Sequence, residues 1–83
     1  MAFGVILTKK AKADLKKLDR LVQKRLVAKL QFFAQNPLNY AEKLSDSSIG
    51  NFRFRIGSYR VIFDLKGNEV VIHRVGHRRE IYR

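Results

Sequence analysis

The sequence predicts a two-layer α+β domain: an N-terminal strand, a helical hairpin, then an antiparallel three-stranded meander. Three observations carry that prediction. From Phe52 to Ile56 apolar and charged residues alternate strictly, so Phe52, Phe54 and Ile56 share one face of a strand and Arg53 and Arg55 the other. Gly57-Ser58 interrupts the run as a two-residue hairpin turn, with Gly free to take a positive φ at its first central position. Upstream, Val22, Leu26, Leu30 and Phe33 recur at helical spacing, which gives the second layer.

Taken in order, Phe3 to Leu7 is a short apolar run and reads as the first strand. Thr8 can cap a helix whose apolar positions are Ala11, Leu15 and Leu18, with lysines at 9, 10, 12, 16 and 17 on its solvated side. Asp19 caps a second helix, its carboxylate favoured by the positive end of the helix dipole. Pro37 disfavours helical geometry in the residue before it, which predicts a helix end near Asn36. Leu38 to Gly50 is predicted as a connecting loop pinned by Tyr40 and Leu44. Tyr59 to Leu65 folds back along Phe52–Ile56, with Arg60 on the side of Arg53 and Arg55 and with Tyr59, Val61 and Phe63 on the other. Lys66-Gly67-Asn68 is a turn, and Val70 to Val75 is a β-branched third strand. Its inward face is not readable, because Val70, Ile72 and Arg74 compete with Val71, His73 and Val75.

Eighty-three residues predict a single domain over 1–83, which at this size buries only a little over roughly 60% of its unfolded surface. The absence of cysteine excludes disulfides, thiolate metal sites and cysteine nucleophiles. No apolar run approaches the ~20 residues of a membrane span, and Met1 to Leu7 lacks the features of a signal peptide, so the expectation is a soluble cytoplasmic protein without a membrane partner. A net charge of +11 points to a polyanionic partner, nucleic acid first.

The cations are not evenly spread. Eight of nine lysines precede residue 50 and seven of nine arginines follow it. Helical lysines read as a solvated face, whereas the planar arginine fork grips phosphate bidentately. Arg53, Arg55 and Arg60, beside a tail with His77, Arg78, Arg79 and Tyr82, have the composition of a phosphate-binding groove. With no Asp/Glu/His set at metal-ligand spacing, neither metal nor cofactor is expected. RNA cleavage would then use the substrate's own 2′-OH, which needs a base, an acid and cations over the developing charge. A guanidinium, with a pKa above about 12, suits only the third role. Imidazole is the side-chain type in the tail whose ordinary pKa lies near neutrality, so His77 is the candidate acid or base, or a solvated loop histidine. Tyr82 either stacks on a base or packs back on the sheet. His73 reads as a structural strand residue.

Two segments, Arg53-Phe54-Arg55-Ile56-Gly57-Ser58-Tyr59-Arg60-Val61-Ile62-Phe63 and Val75-Gly76-His77-Arg78-Arg79-Glu80-Ile81-Tyr82, resemble the RelE/ParE toxin superfamily, in its RelE-like mRNA interferase branch. The resemblance covers nearly the whole chain. It implies the RelE-like microbial RNase fold and the toxin of a type II toxin–antitoxin system. Such a toxin is a ribosome-dependent mRNA endonuclease that cuts A-site codons by 2′-OH attack, leaving a 2′,3′-cyclic phosphate and a 5′-OH and inhibiting translation.

In residue terms the resemblance places Arg53 and Arg55 at the 2′-OH and phosphate, and Arg60 on the phosphate. It places Arg78, with His77 adjacent, at the leaving 5′ oxygen, and Tyr82 on the target base. Lysines stand at the two strand positions in some relatives, so arginines here make a general base harder to name. Many relatives also continue past the terminal tyrosine into a helix. The resemblance implies two kinds of partner: mRNA on the ribosome, and a cognate acidic antitoxin that folds on binding. Two other functions use the same features. A ParE-like DNA gyrase inhibitor shares the fold, and a non-catalytic basic module binding nucleic acid or antitoxin needs only the charge.

Overall fold

The computed structural model describes residues 3–45 and 48–81. Strand β1 (Gly4–Leu7) leads into helix α1 (Lys9–Lys16) and helix α2 (Arg20–Phe33). A 3-10 turn (Pro37–Asn39) then precedes β2 (Glu42–Lys43), β3 (Phe52–Ile56), β4 (Tyr59–Lys66) and β5 (Glu69–His77). The five strands form one sheet in the order β1-β5-β4-β3-β2. Only β1 and β5 run parallel, because α1, α2 and the later strands lie between them in sequence and act as the crossover. No described helix is long and apolar enough to cross a membrane.

Both helix starts follow their cap chemistry. Thr8 accepts from the backbone N–H of Ala11, and Asp19 accepts from that of Leu21, each satisfying a donor the first turn leaves unpaired. The ends depart from expectation. The first helix stops at Lys16, so Leu18 packs from the connecting turn rather than from a helix. The second stops at Phe33 rather than near Asn36, because Asn36 already has the extended φ of −154° that precedes Pro37 and its 3-10 turn.

Leu26, Leu30 and Phe33 are buried against Phe54, Val61, Phe63, Val70, Ile72 and Val75, so α2 lays its stripe on the predicted apolar face of the sheet. Each such side chain contributes about 1.5–3 kcal/mol by leaving water. Three rings form the centre of that layer, and a fourth, the exposed Tyr40, covers it from outside. Phe54 stacks on Phe63 at 4.1 Å and tilts against Phe33 at 5.0 Å, while Tyr40 stacks on Phe33 at 4.4 Å.

The segment predicted as a connecting loop is more structured than that. Glu42–Lys43 pairs antiparallel with Phe52–Arg53, extending the meander to a fourth antiparallel strand. A two-residue strand carries no readable alternation, which is why sequence patterning misses it. The unreadable third strand is explained by a bulge. Phe63 pairs with Ile72 but Ile62 pairs with Arg74, so His73 is an extra residue in β5. Parity flips at that point: Val70 and Ile72 face the core before it, and Val75 after it.

Candidate nucleic-acid interface

Strand register assembles the arginines. Gly57, with φ of 60°, occupies the first position of the two-residue turn, so Arg55 pairs directly with Arg60 and Arg53 with Ile62 on the face away from the helices. Like charges directly opposite are unfavourable, and each guanidinium is given its own partner. Arg60 is only 6% exposed, and its Nη1 donates to the carbonyls of Gly57 and Tyr59 at 2.9 and 2.8 Å. Arg60 therefore braces the turn that creates the pairing.

Arg53 and Arg55 meet a carboxylate that sequence reasoning did not select. Arg53 Nε donates to Glu42 Oε1 at 2.9 Å, and Arg55 Nη1 lies 3.6 Å from Glu42 Oε2. The hydrogen bond from Arg53 is the largest influence holding the Glu42 carboxyl below its ordinary value; burial opposes it, and the charges of Arg53 and Arg55 add to it. Glu42 is therefore ionised at neutral pH, an acceptor set beside two cations. The signal that could have found it is charge balance, since only seven acidic residues serve eighteen basic ones. Arg55 keeps 56% of its side chain exposed and so remains open to a ligand.

The tail is brought to the same end of the sheet. Arg78 donates its backbone N–H to the Ser58 carbonyl at 2.8 Å, which ties it to the β3–β4 turn, and its side chain is exposed. The tail then turns back, with the N–H groups of Glu80 and Ile81 both donating to the His77 carbonyl. Ile81 is buried over Gly76, where an added Cβ would lie 3.7 Å from it.

His77 is placed differently from the arginines. It pairs with Tyr59, not with Arg60, and its ring meets the Tyr59 ring edge-on at 5.7 Å and 80°. Because strand residues alternate, it lies on the core side of the sheet end, while Arg60 and its partner Gly76 lie on the outer side. Its Nδ1 accepts from the Arg79 backbone N–H. Tyr82 lies outside the described residues.

The outer face also holds a polar pair that belongs to the scaffold. His73 Nε2 and Asp64 Oδ2 are 2.8 Å apart, and Asp64 Oδ1 accepts from the Asn51 N–H at 2.7 Å. This joins the bulge to the segment entering β3. Gly50 in that segment approaches so closely that a Cβ would sit 2.6 Å from Ile62 Cγ2, and Ile62 is fully buried on the arginine side. Among the described residues no three His, Asp or Glu side chains form a set able to hold a metal ion.

Comparison with known proteins follows the same lines. Residues 5–82 match the family model of the ParE toxin of the type II toxin–antitoxin system parDE. The chain is 35% identical to Toxin RelG of Mycobacterium tuberculosis over 100% of its own length and 99% of that protein's. It superposes on the toxin–antitoxin complex RelBE2 of M. tuberculosis with TM-score 0.81 and 30% identity, covering 94% of this chain and 100% of that one. A free-state variant of the toxin RelE of E. coli, at TM-score 0.74 and 23% identity over 93% of this chain and 84% of its own, shares the fold.

Proposed function

Because the chain belongs to the RelE/ParE superfamily of type II toxin–antitoxin toxins, we propose that it is a ribosome-dependent endoribonuclease that cuts mRNA in the A site and so stops translation in the cytoplasm. The observation that carries this reading is the pairing of Arg55 with Arg60 on one sheet face, with Glu42 against Arg53 and Arg55 and the Arg78 backbone on the adjoining turn. That arrangement offers cations for a phosphate and one ionised acceptor for a proton.

In the proposed reaction Glu42 takes the proton of the 2′-OH. The 2′ oxygen attacks phosphorus, the P–O5′ bond breaks, the departing 5′ oxygen takes a proton from solvent, and the products are a 2′,3′-cyclic phosphate and a 5′-OH. Arg53, Arg55 and Arg60 stabilise the phosphorane charge, which is the role open to groups that do not give up protons at neutral pH. Arg78 stabilises the charge on the departing 5′ oxygen, His77 stands outside this step because it lies on the core side of the sheet end, and Tyr82 stacks on the target base. The domain acts as a single unit over residues 1–83. An acidic antitoxin is the proposed protein partner, supported by the M. tuberculosis toxin–antitoxin complex that shares this fold and by the charge of +11.

The test is primer extension on mRNA bound to ribosomes stalled with an open A site, against an mRNA-only control. Cuts at the A-site codon that require ribosomes support the reading, and intact mRNA with folded protein overturns it. A second reading is favoured by the ParE family match: inhibition of DNA gyrase, read as trapped gyrase–DNA cleavage complexes with mRNA left intact.

A further inference from the structure

We infer that a cleft at the open edge of β5, on the other side of the sheet end from the arginines, binds a nucleobase of the RNA strand whose phosphate the arginines hold. The inference rests on the RNA-binding reading above and extends it to base recognition.

The cleft exists because the sheet is left unfinished there. Strand β1 pairs with β5 only as far as Leu7 opposite Ile72, so among the described residues no strand lies beside that edge of β5 from Arg74 to His77. The C-terminal end of α1 and the turn of the tail flank that edge and enclose about 390 Å³, within the range of roughly 300–1,000 Å³ typical of small-ligand sites. Asp14 makes the inner wall rigid. Its Oδ2 accepts from Arg74 Nε at 2.8 Å and from the Val75 N–H at 3.0 Å, which pins α1 to the strand edge.

The cleft and the arginine face share one end of the sheet. Tyr59 and His77 line the cleft, Arg60 follows Tyr59 on the opposite face, and the Arg78 backbone is tied to Ser58 in the turn between Arg55 and Arg60. An RNA strand that meets exposed Arg55 and Arg78 and crosses this end of the sheet brings a flanking base to the cleft.

The lining selects the ligand class. Lys17 and Arg74 present positive charge, Asp14 and Glu80 negative charge, and Tyr59 with the edge-on His77 presents aromatic surface. Asp14 and Arg74 neutralise each other, which leaves Lys17 and Glu80 as one charge of each sign: a bare phosphate meets no net positive charge, and a purely apolar ligand would strand both. A nucleobase is neutral and flat and carries donors and acceptors on one edge, which suits stacking combined with mixed polar contacts. Lys17 and Glu80 have no side-chain partner among the described residues, and so are the groups free to read the base edge.

The experiment uses the whole protein and 2′-O-methylated trinucleotides, which cannot be cut by 2′-OH attack, with each base in turn and with an abasic position. Amide NMR shifts report on both faces. The expected result is shifts at Lys17, Tyr59, His77 and Glu80 that differ with the base, and about tenfold weaker binding of the abasic oligonucleotide, while shifts at Arg55 and Arg60 persist. The double variant Lys17→Ala, Glu80→Gln keeps the net charge, and should lose the base dependence while retaining the binding of the abasic form. Equal binding of abasic and intact oligonucleotides, or shifts confined to the arginine face, overturns the inference. Ribosome-dependent cleavage is scored separately: base-dependent shifts without cleavage leave the cleft standing and refute the nuclease reading, whereas cleavage with a silent cleft does the reverse.

Discussion

Arg55 and Arg60 stand directly opposite each other across the β3–β4 ladder, and their guanidinium groups go to different partners: Glu42 for the first, the turn carbonyls of Gly57 and Tyr59 for the second. Two like charges at a paired position would cost stability if both were left facing the same solvent. Separate partners make the pairing tolerable: Arg60 is buried against the turn, and Arg55 keeps its exposed guanidinium beside Glu42.

Arg60 consequently has a structural role beside the chemical one proposed for it. Arg60→Ala should abolish growth arrest and also lower unfolding free energy by about 1.5–3 kcal/mol, because hydrogen bonds from a buried charged group to the turn are lost. Arg78→Ala, at an exposed side chain, should abolish cleavage with stability changed by less than about 0.5 kcal/mol. Urea denaturation read beside the primer-extension assay separates the two, and a double variant that still arrests growth would remove both residues from the site.

Glu42→Gln should suppress cleavage of A-site mRNA while RNA binding is kept or strengthened, since it removes an acceptor and a negative charge from the arginine face. Its effect on stability has a defined sign. A carboxyl whose folded value lies below the ordinary 4.5 contributes stability above that pH and loses it as pH falls through the lower folded value. The variant should therefore show a flatter acid limb below about pH 4.5 than the parent in unfolding midpoints followed against pH.

Gly50→Ala should destabilise the protein by about 1–3 kcal/mol. The φ of 151° is poorly suited to an L side chain, and the new methyl would collide with the fully buried Ile62 at 2.6 Å. Thermal unfolding tests this, and an unchanged midpoint would mean that the 48–51 segment moves aside freely.

Asp14→Ala should cost about 1.5–3 kcal/mol and loosen the end of α1 from β5. Its carboxylate is 11% exposed and is the shared acceptor for Arg74 and Val75. Hydrogen exchange at the Val75 amide is the direct readout, with protection lost in the variant.

Periodicity and cap chemistry are local properties, and by themselves they determined the helices, the meander and the face that Arg53, Arg55 and Arg60 share, because alternation and a two-residue turn leave one register. The resemblance to the RelE/ParE superfamily was likewise legible in two short segments and agrees with the matches found along the whole chain. The partners of the arginines were decided only by tertiary structure. Glu42 comes from a two-residue strand without pattern, the inward face of β5 depends on a bulge at His73, and His77 parts from Arg60 because its pairing partner is Tyr59. Each of these is a contact between residues distant in sequence, set by which strand edge is free and which side chain fills it.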